Sequence, residues 1–368
     1  MKALLYNRPF TFYYVLAVSI ASLVWIYIMA MEIVFANLRG DGFSLFAQFY
    51  ETQQGIVASN PMLHHHSDSV ILFVATYIAM PVAFAGFFFP FAPTLAALIV
   101  TAWGWGKSGL SALLGAFMPV RGNISLREGL SIYALLLGVV IALVALSFLR
   151  VFMLGDQDRI AGFSQHLAFF DWRYFLTAWL VALFLNQGAF LEELGWRTFA
   201  LPILIRRLGS PLMATLLLGV LWALWHMPRE VPLLLTGQQT IPDLLQSQFW
   251  FILHCCSASI VITYFVNISG GSVIPAIMLH GVLNFFGGMF VGEMVGARSA
   301  FTAEAPVTWL IAAIVVLVLA GPQLGWKRRL EVHGRDGSTD PSRIWSDPDY
   351  TTAPASHGSA RDAVVDQR

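Results

Sequence analysis

From Phe10 to Ala36 the chain runs for more than seven helical turns with one charged side chain, Glu32. Runs of this kind recur at Val70–Trp105, Leu130–Leu149, Tyr174–Leu201, Pro211–His226, Ser247–Ile268, Val273–Val291 and Pro306–Ala320. About 20 apolar residues cross a bilayer core as a helix, and in lipid the helix satisfies its own backbone polar groups. This repetition constrains the fold more than any other feature: it predicts an all-α, polytopic transmembrane bundle. Composition agrees, with 57% hydrophobic and 11% charged residues, against about 25% charged in soluble domains. Of the 42 charged residues, 14 fall within positions 327–368, which depletes the rest further. These numbers argue against a soluble enzyme and a disordered protein. A formal net charge of zero leaves no basic field for nucleic acid. The two cysteines, Cys255 and Cys256, are adjacent in an apolar run and suit neither a disulfide framework nor a thiolate zinc site.

The spans number eight or nine, and Val70–Trp105 decides which. As one helix it would extend about 54 Å, but Pro81, Pro90 and Pro93 make it either a kinked span or a tight helical pair. Three regions follow from the pattern. Residues 1–129 form an N-terminal transmembrane and interfacial region with a polar insertion at 37–68 that holds His64, His65 and His66. Residues 130–325 form a membrane-embedded core. Residues 326–368, rich in Ser, Asp, Arg, Gly and Pro, read as a disordered polar tail. Basic residues at Lys107, Arg121, Arg127 and Lys327–Arg329 favour a cytoplasmic side for those segments.

Ionisable groups inside a bilayer are costly and mark candidate sites. After Arg173 no charge occurs until Glu192, Glu193 and Arg197 arrive together. Glu193 and Arg197 share a helix face at i,i+4 and can pair, which leaves Glu192 free to act as a general base. Leu208-Gly209-Ser210-Pro211 reads as a helical turn, with Glu193 and His226 each sixteen residues away from it. In a hairpin the two glutamates and His226 therefore lie at one depth, about 24 Å from the turn. His280 and Asn284, again i,i+4, are isolated polar groups on one face of a later apolar helix, suited to oxyanion donation or to interhelical hydrogen bonding. Asn186 and Gln187 precede the glutamates as polar neighbours or packing contacts, and His254 reads as structural.

These residues resemble the CPBP family: intramembrane CAAX-type (type II CAAX prenyl endopeptidase-like) proteases and bacteriocin-processing or immunity (Abi) proteins. The family pattern, Glu-Glu-x-x-x-Arg, aromatic-x-x-x-His and His-x-x-x-Asn, stands here as Glu192-Glu193…Arg197, Trp222…His226 and His280…Asn284, within residues 173–290. Trp222 replaces the usual Phe. The resemblance implies an intramembrane glutamic-type endopeptidase in which Glu192, helped by His226, activates a water. Glu193 and Arg197 would support the site, while His280 and Asn284 stabilise the oxyanion. The implied partners are the bilayer and a membrane-associated peptide or protein substrate, with no nucleic acid, at the cell membrane. No cofactor is expected. The alternative is zinc held by Glu192, His226 and His280, although the chain has no His-Glu-x-x-His helix. Two other functions remain open: a non-proteolytic self-immunity or scaffold protein, and a proton-coupled transporter.

Overall fold

The computed structural model describes residues 6–39, 44–59, 69–154, 172–284, 304–334 and 337–345. The histidine triplet 64–66, the 285–291 end of one expected span and positions 346–368 lie outside them. The described residues are helical, with no strand among them beyond one isolated bridge between Ser69 and Asn186. Five helices are long and apolar enough to cross a membrane: Pro9–Leu38, Pro81–Phe117, Leu126–Leu146, Pro211–Arg229 and Ile241–Ile268. Val70–Ala79, Ile274–Asn284 and Pro306–Ala320 are shorter apolar helices. The chain is a multi-pass helical bundle, and eight or nine spans is an approximate count.

Local sequence sets most of the helix ends. α1 (Pro9–Arg39) and α2 (Leu45–Ser59) precede α3 (Val70–Ala79), whose cap residue Ser69 accepts from the Ile71 backbone N–H. The Val70–Trp105 stretch resolves into two helices. Pro81 disfavours helical backbone at Met80 (φ −129°), so α3 ends there and a 3₁₀ segment, Pro81–Phe87, leads into α4 (Phe88–Leu114). α4 itself bends at Gly106, where φ is 58°. α5 (Leu126–Leu154) follows.

The expected Tyr174–Leu201 span is not one regular helix. α6 (Trp172–Phe184) stops, and Asn186 caps a new helix, α7 (Gln187–Glu193), by accepting from the Ala189 N–H. The backbone then widens into π-helical turns over Leu194–Ala200 before α8 (Leu201–Leu208). Widened turns of this kind occur often at functional sites. The hairpin turn forms as expected: Gly209 (φ 63°) ends α8, and Ser210 caps α9 (Pro211–Trp225). The short α10 (Val231–Leu235) leads to α11 (Ile241–Ile268). α11 starts six residues before the apolar run at Ser247, because Thr240 and Asp243 close a capping box. α12 (Ile274–Asn284) and α13 (Glu304–Ala320) complete the apolar helices.

The packing crosses the division suggested at residue 129. α4 lies against the segment that bears the glutamates, and α1 meets Trp196 and Phe199 just after it through Tyr13. Tyr14 donates to the Leu221 carbonyl at 3.0 Å, and Trp225 donates to the Ala17 carbonyl at 3.3 Å. Gly195 lies directly on Pro93: a Cβ there would fall 2.4 Å from the Pro93 carbonyl.

The boundary of the polar tail moves. Residues 326–345, grouped with it on composition, include α14 (Trp326–Val332) and a 3₁₀ turn at Pro341–Trp345, both packed on the bundle. Three apolar anchors, Trp326, Ile344 and Trp345, are buried, and Trp345 meets Phe199 at 5.4 Å between ring centroids. The charges that made the segment look tail-like neutralise one another. Asp340 accepts from Arg329 Nε at 2.9 Å and from Arg206 at 3.1 Å, and Arg329 also donates to Ser342 Oγ at 2.9 Å. The Arg121 loop joins this end of the bundle, since the Arg121 N–H donates to the Ser269 carbonyl and the Asn123 N–H to the Val332 carbonyl. The segments that hold Arg121 and Lys327–Arg329, both expected on one side, therefore lie together.

Candidate active site

Glu193 is fully buried and both of its oxygens are taken. Oε2 accepts from Arg197 Nε at 2.9 Å, and Oε1 accepts from His280 Nδ1 at 2.8 Å. The i,i+4 pair expected from the sequence forms despite the widened backbone. Arg197 is fully buried too, and both of its terminal nitrogens lie 3.2 Å from Ser259 Oγ on α11. A buried ion pair survives only where its remaining donors are satisfied, and Ser259 supplies that. Sequence reading passed over Ser259. Its only signal was a small hydroxyl in an apolar run.

Glu192 points elsewhere. Its Oε2 accepts from the indole Nε1 of Trp222 at 2.9 Å. Its Oε1 lies 3.4 Å from where a Cβ on Gly188 would stand, and Asn284 Nδ2 lies 2.9 Å from the same point. A side chain at 188 would fill the gap between the free carboxylate oxygen and the Asn284 amide. Gly188, one turn before Glu192, also went unnoticed in the sequence. Asn284 donates to Asn186 Oδ1 at 3.0 Å, and Asn186 also caps α7. One asparagine thus starts the glutamate helix and orients the amide facing it.

Trp222 stands at the centre of the constellation. Besides its bond to Glu192, its ring lies 4.8 Å from the His280 ring in edge contact, 6.3 Å from the His226 ring, and 5.3 Å from the Arg197 guanidinium carbon. The sequence motif required only an aromatic here. The Trp in place of Phe adds an N–H donor that the phenyl ring lacks.

His226 arrives where the hairpin argument puts it, at the end of α9, walled by Trp225 at 4.6 Å and Phe251 at 5.0 Å. Its Nδ1 bonds the Trp222 carbonyl at 2.9 Å. A carbonyl can only accept, so Nδ1 carries the hydrogen and Nε2 keeps its lone pair. Among the described residues no hydrogen bond joins His226 to Glu192, so the two converge through Trp222 rather than by contact. The same logic applies to His280: the Glu193 carboxylate accepts, so Nδ1 is the donor and Nε2 is left for a substrate.

Close helix approach holds these groups in place. A Cβ on Gly281 would fall 1.7 Å from the Ala182 carbonyl, so α12 reaches α6 only with glycine at that position. A Cβ on Gly219 would meet the Cys256 backbone at 2.7 Å, which brings α9 onto α11. His254, outside the motifs, is buried on α11 beside Trp309.

Among the described residues no three His, Cys, Asp or Glu side chains form a group able to hold a metal ion.

Fold and site together define a helical membrane protein with a buried Glu–Glu–Arg, His, His–Asn centre. Comparison with known proteins agrees. Residues 172–286 match the family model described as type II CAAX prenyl endopeptidase Rce1-like. That match contains all three motifs, so the resemblance read from them holds for the segment that carries them. A CAAX prenyl protease 2 of Methanococcus maripaludis is 30% identical over 149 residues, covering 39% of this chain and 51% of the relative. The chain thus spans about half the length of that curated relative.

Proposed function

We propose that this chain is an intramembrane, glutamic-type endopeptidase of the cell membrane that hydrolyses peptide bonds of membrane-associated proteins or peptides. One observation carries the reading. Of two adjacent buried carboxylates, Glu193 is saturated by Arg197 and His280, whereas Glu192 keeps one oxygen open beside Gly188 and the Asn284 amide. A general base needs such an open acceptor within reach of the proton it removes.

In this reading a water beside Glu192 Oε1 gives up a proton as its oxygen attacks the peptide carbonyl carbon, and the carbonyl π electrons pass to oxygen. The remaining amide hydrogen of Asn284 donates to that oxyanion, as does Nε2–H of a His280 imidazolium that has taken its extra proton from solvent before the attack. Glu193 supports the His280 imidazolium through Nδ1. Glu192 gives up the proton it took from the water, His226 Nε2 accepts it on its lone pair and passes it to the leaving amine, and the oxyanion electrons re-form the carbonyl as the C–N bond breaks. Trp222 orients Glu192, and Arg197 holds Glu193.

We propose that the reaction needs no metal, because every one of these steps has a protein group to perform it. The test uses the purified full-length chain in lipid vesicles with a membrane-anchored reporter peptide. Cleavage by the wild type should be lost in Glu192→Gln and His280→Ala, and should survive strong chelators. Cleavage that persists in both variants sinks the enzyme reading. Loss with chelator and recovery with zinc sinks the metal-free mechanism. Solute flux without any cleavage product points to a transporter.

A further inference from the structure

We propose that Tyr13, on the N-terminal helix and outside the matched segment, is a positioning residue for Glu192 that acts through a water shared with Trp196. The inference deepens the enzyme reading and rests on it for its meaning, though not for its test.

Tyr13 is fully buried, yet its hydroxyl has no hydrogen-bond partner among the described residues. The indole N–H of Trp196 is equally buried and equally without a partner. The two rings that carry them meet edge to face, with centroids 5.7 Å apart and planes at 89°. Buried donors are seldom left unmatched, since each costs about 1–3 kcal/mol when it is. Two together in one place ask for a shared acceptor.

The surroundings say which acceptor. Trp196 lies one turn after Glu192 and its indole bears on that carboxylate, while its nitrogen closes no hydrogen bond among the described residues. Tyr13 is within electrostatic reach of Glu193, Glu192 and Arg197. The other rings against Tyr13 are Phe199, at 5.2 Å, and Phe10, at 6.1 Å, neither of which offers a polar atom. A single water needs two to four polar partners when buried. Here it accepts from Tyr13 Oη and Trp196 Nε1 and donates to the Glu192 carboxylate. With both its lone pairs occupied it is not the nucleophile. It braces the indole side of Glu192, so that Oε1 stays turned toward Gly188 and Asn284.

The helix that carries Tyr13 is fixed against the site by neighbouring bonds, Tyr14 to Leu221 and Trp225 to Ala17. The N-terminal region, which the motifs do not cover, thereby supplies part of the active centre.

The test is Tyr13→Phe in the full chain in vesicles, with Tyr14→Phe as a control that also removes one α1 hydroxyl. The Glu192 carboxyl band is first assigned by infrared difference between wild type and Glu192→Gln. Tyr13→Phe should shift that band, and Tyr14→Phe should not. In turnover, Tyr13→Phe should lower kcat about fivefold to tenfold, the worth of one buried hydrogen bond, with KM changed less than twofold. An unmoved Glu192 band in a folded Tyr13→Phe protein overturns the proposal. A shift of equal size in Tyr14→Phe overturns it too, as it would report packing of α1 alone. The band is read without substrate, so a wild type that cleaves nothing defeats the enzyme reading while leaving this result decisive.

Discussion

The indole N–H of Trp222 donates to Glu192 Oε2 at 2.9 Å, joining the second motif's aromatic residue to the first motif's free carboxylate. Because Trp222 also borders His280, His226 and Arg197, one side chain sets the spacing of the whole centre.

Trp222→Phe keeps an aromatic ring but removes that donor together with part of the buried indole volume. A hydrogen bond to a charged group is worth about 1.5–3 kcal/mol. Cleavage by this variant should therefore fall about tenfold to a hundredfold, together with a lowered melting transition from the smaller ring. Activity equal to wild type would show that the indole bond does not orient Glu192.

Arg197→Met should unfold the site rather than tune it. It leaves Glu193 buried and short of its cation, a change that costs about 3–5 kcal/mol. Ser259→Ala removes one neutral acceptor from the same network and should cost less. Melting in detergent would rank them, and Ser259→Ala as damaging as Arg197→Met would contradict the pairing described.

Gly281→Ala tests the helix contact. A Cβ there meets the Ala182 carbonyl at 1.7 Å, so α12 must move away from α6 and carry His280 and Asn284 with it. The expected result is a destabilisation of at least about 1–3 kcal/mol together with loss of cleavage. A neutral substitution would mean that α12 and α6 are not in contact at this point.

Asp340 gives a pH dependence outside the membrane. Burial alone would raise its carboxyl, but Arg329 and Arg206 more than offset that and hold it well below its ordinary 3.8. A depressed carboxylate adds stability that is fully present above its unfolded value and is lost as pH falls through the folded one. The melting difference between wild type and Asp340→Asn should thus stay level from pH 8 to about 5 and shrink below about pH 4. A difference that grows on acidification would contradict the Arg206–Asp340–Arg329 arrangement.

The apolar runs and the caps made much of the fold legible. Gly209, Ser210 and the His280/Asn284 spacing each did locally what their chemistry dictates, since a cap or an i,i+4 face depends on a few adjacent residues. Where the chain broke its own pattern the sequence was a poorer guide. The stop at Leu185–Asn186 and the widened turns after Glu193 lie inside one apolar run, and hydropathy does not register them. Composition likewise placed residues 326–345 with a polar tail, because counting charges ignores whether Arg329, Asp340 and Arg206 cancel in space.

The sequence alone determined the class of this protein and the residue types of its centre: charge excluded from long runs must go into lipid as helices, and the few polar groups left there stand out. Only the tertiary structure decided what each group does. It gave both Glu193 oxygens to Arg197 and His280, left one Glu192 oxygen open against Gly188, set Trp222 between the histidines, and brought Tyr13 in from the first helix. The physical reason is range. A helix and its caps are settled by neighbours within about four residues, whereas the bonds of a carboxylate depend on which distant helices glycine allows to approach.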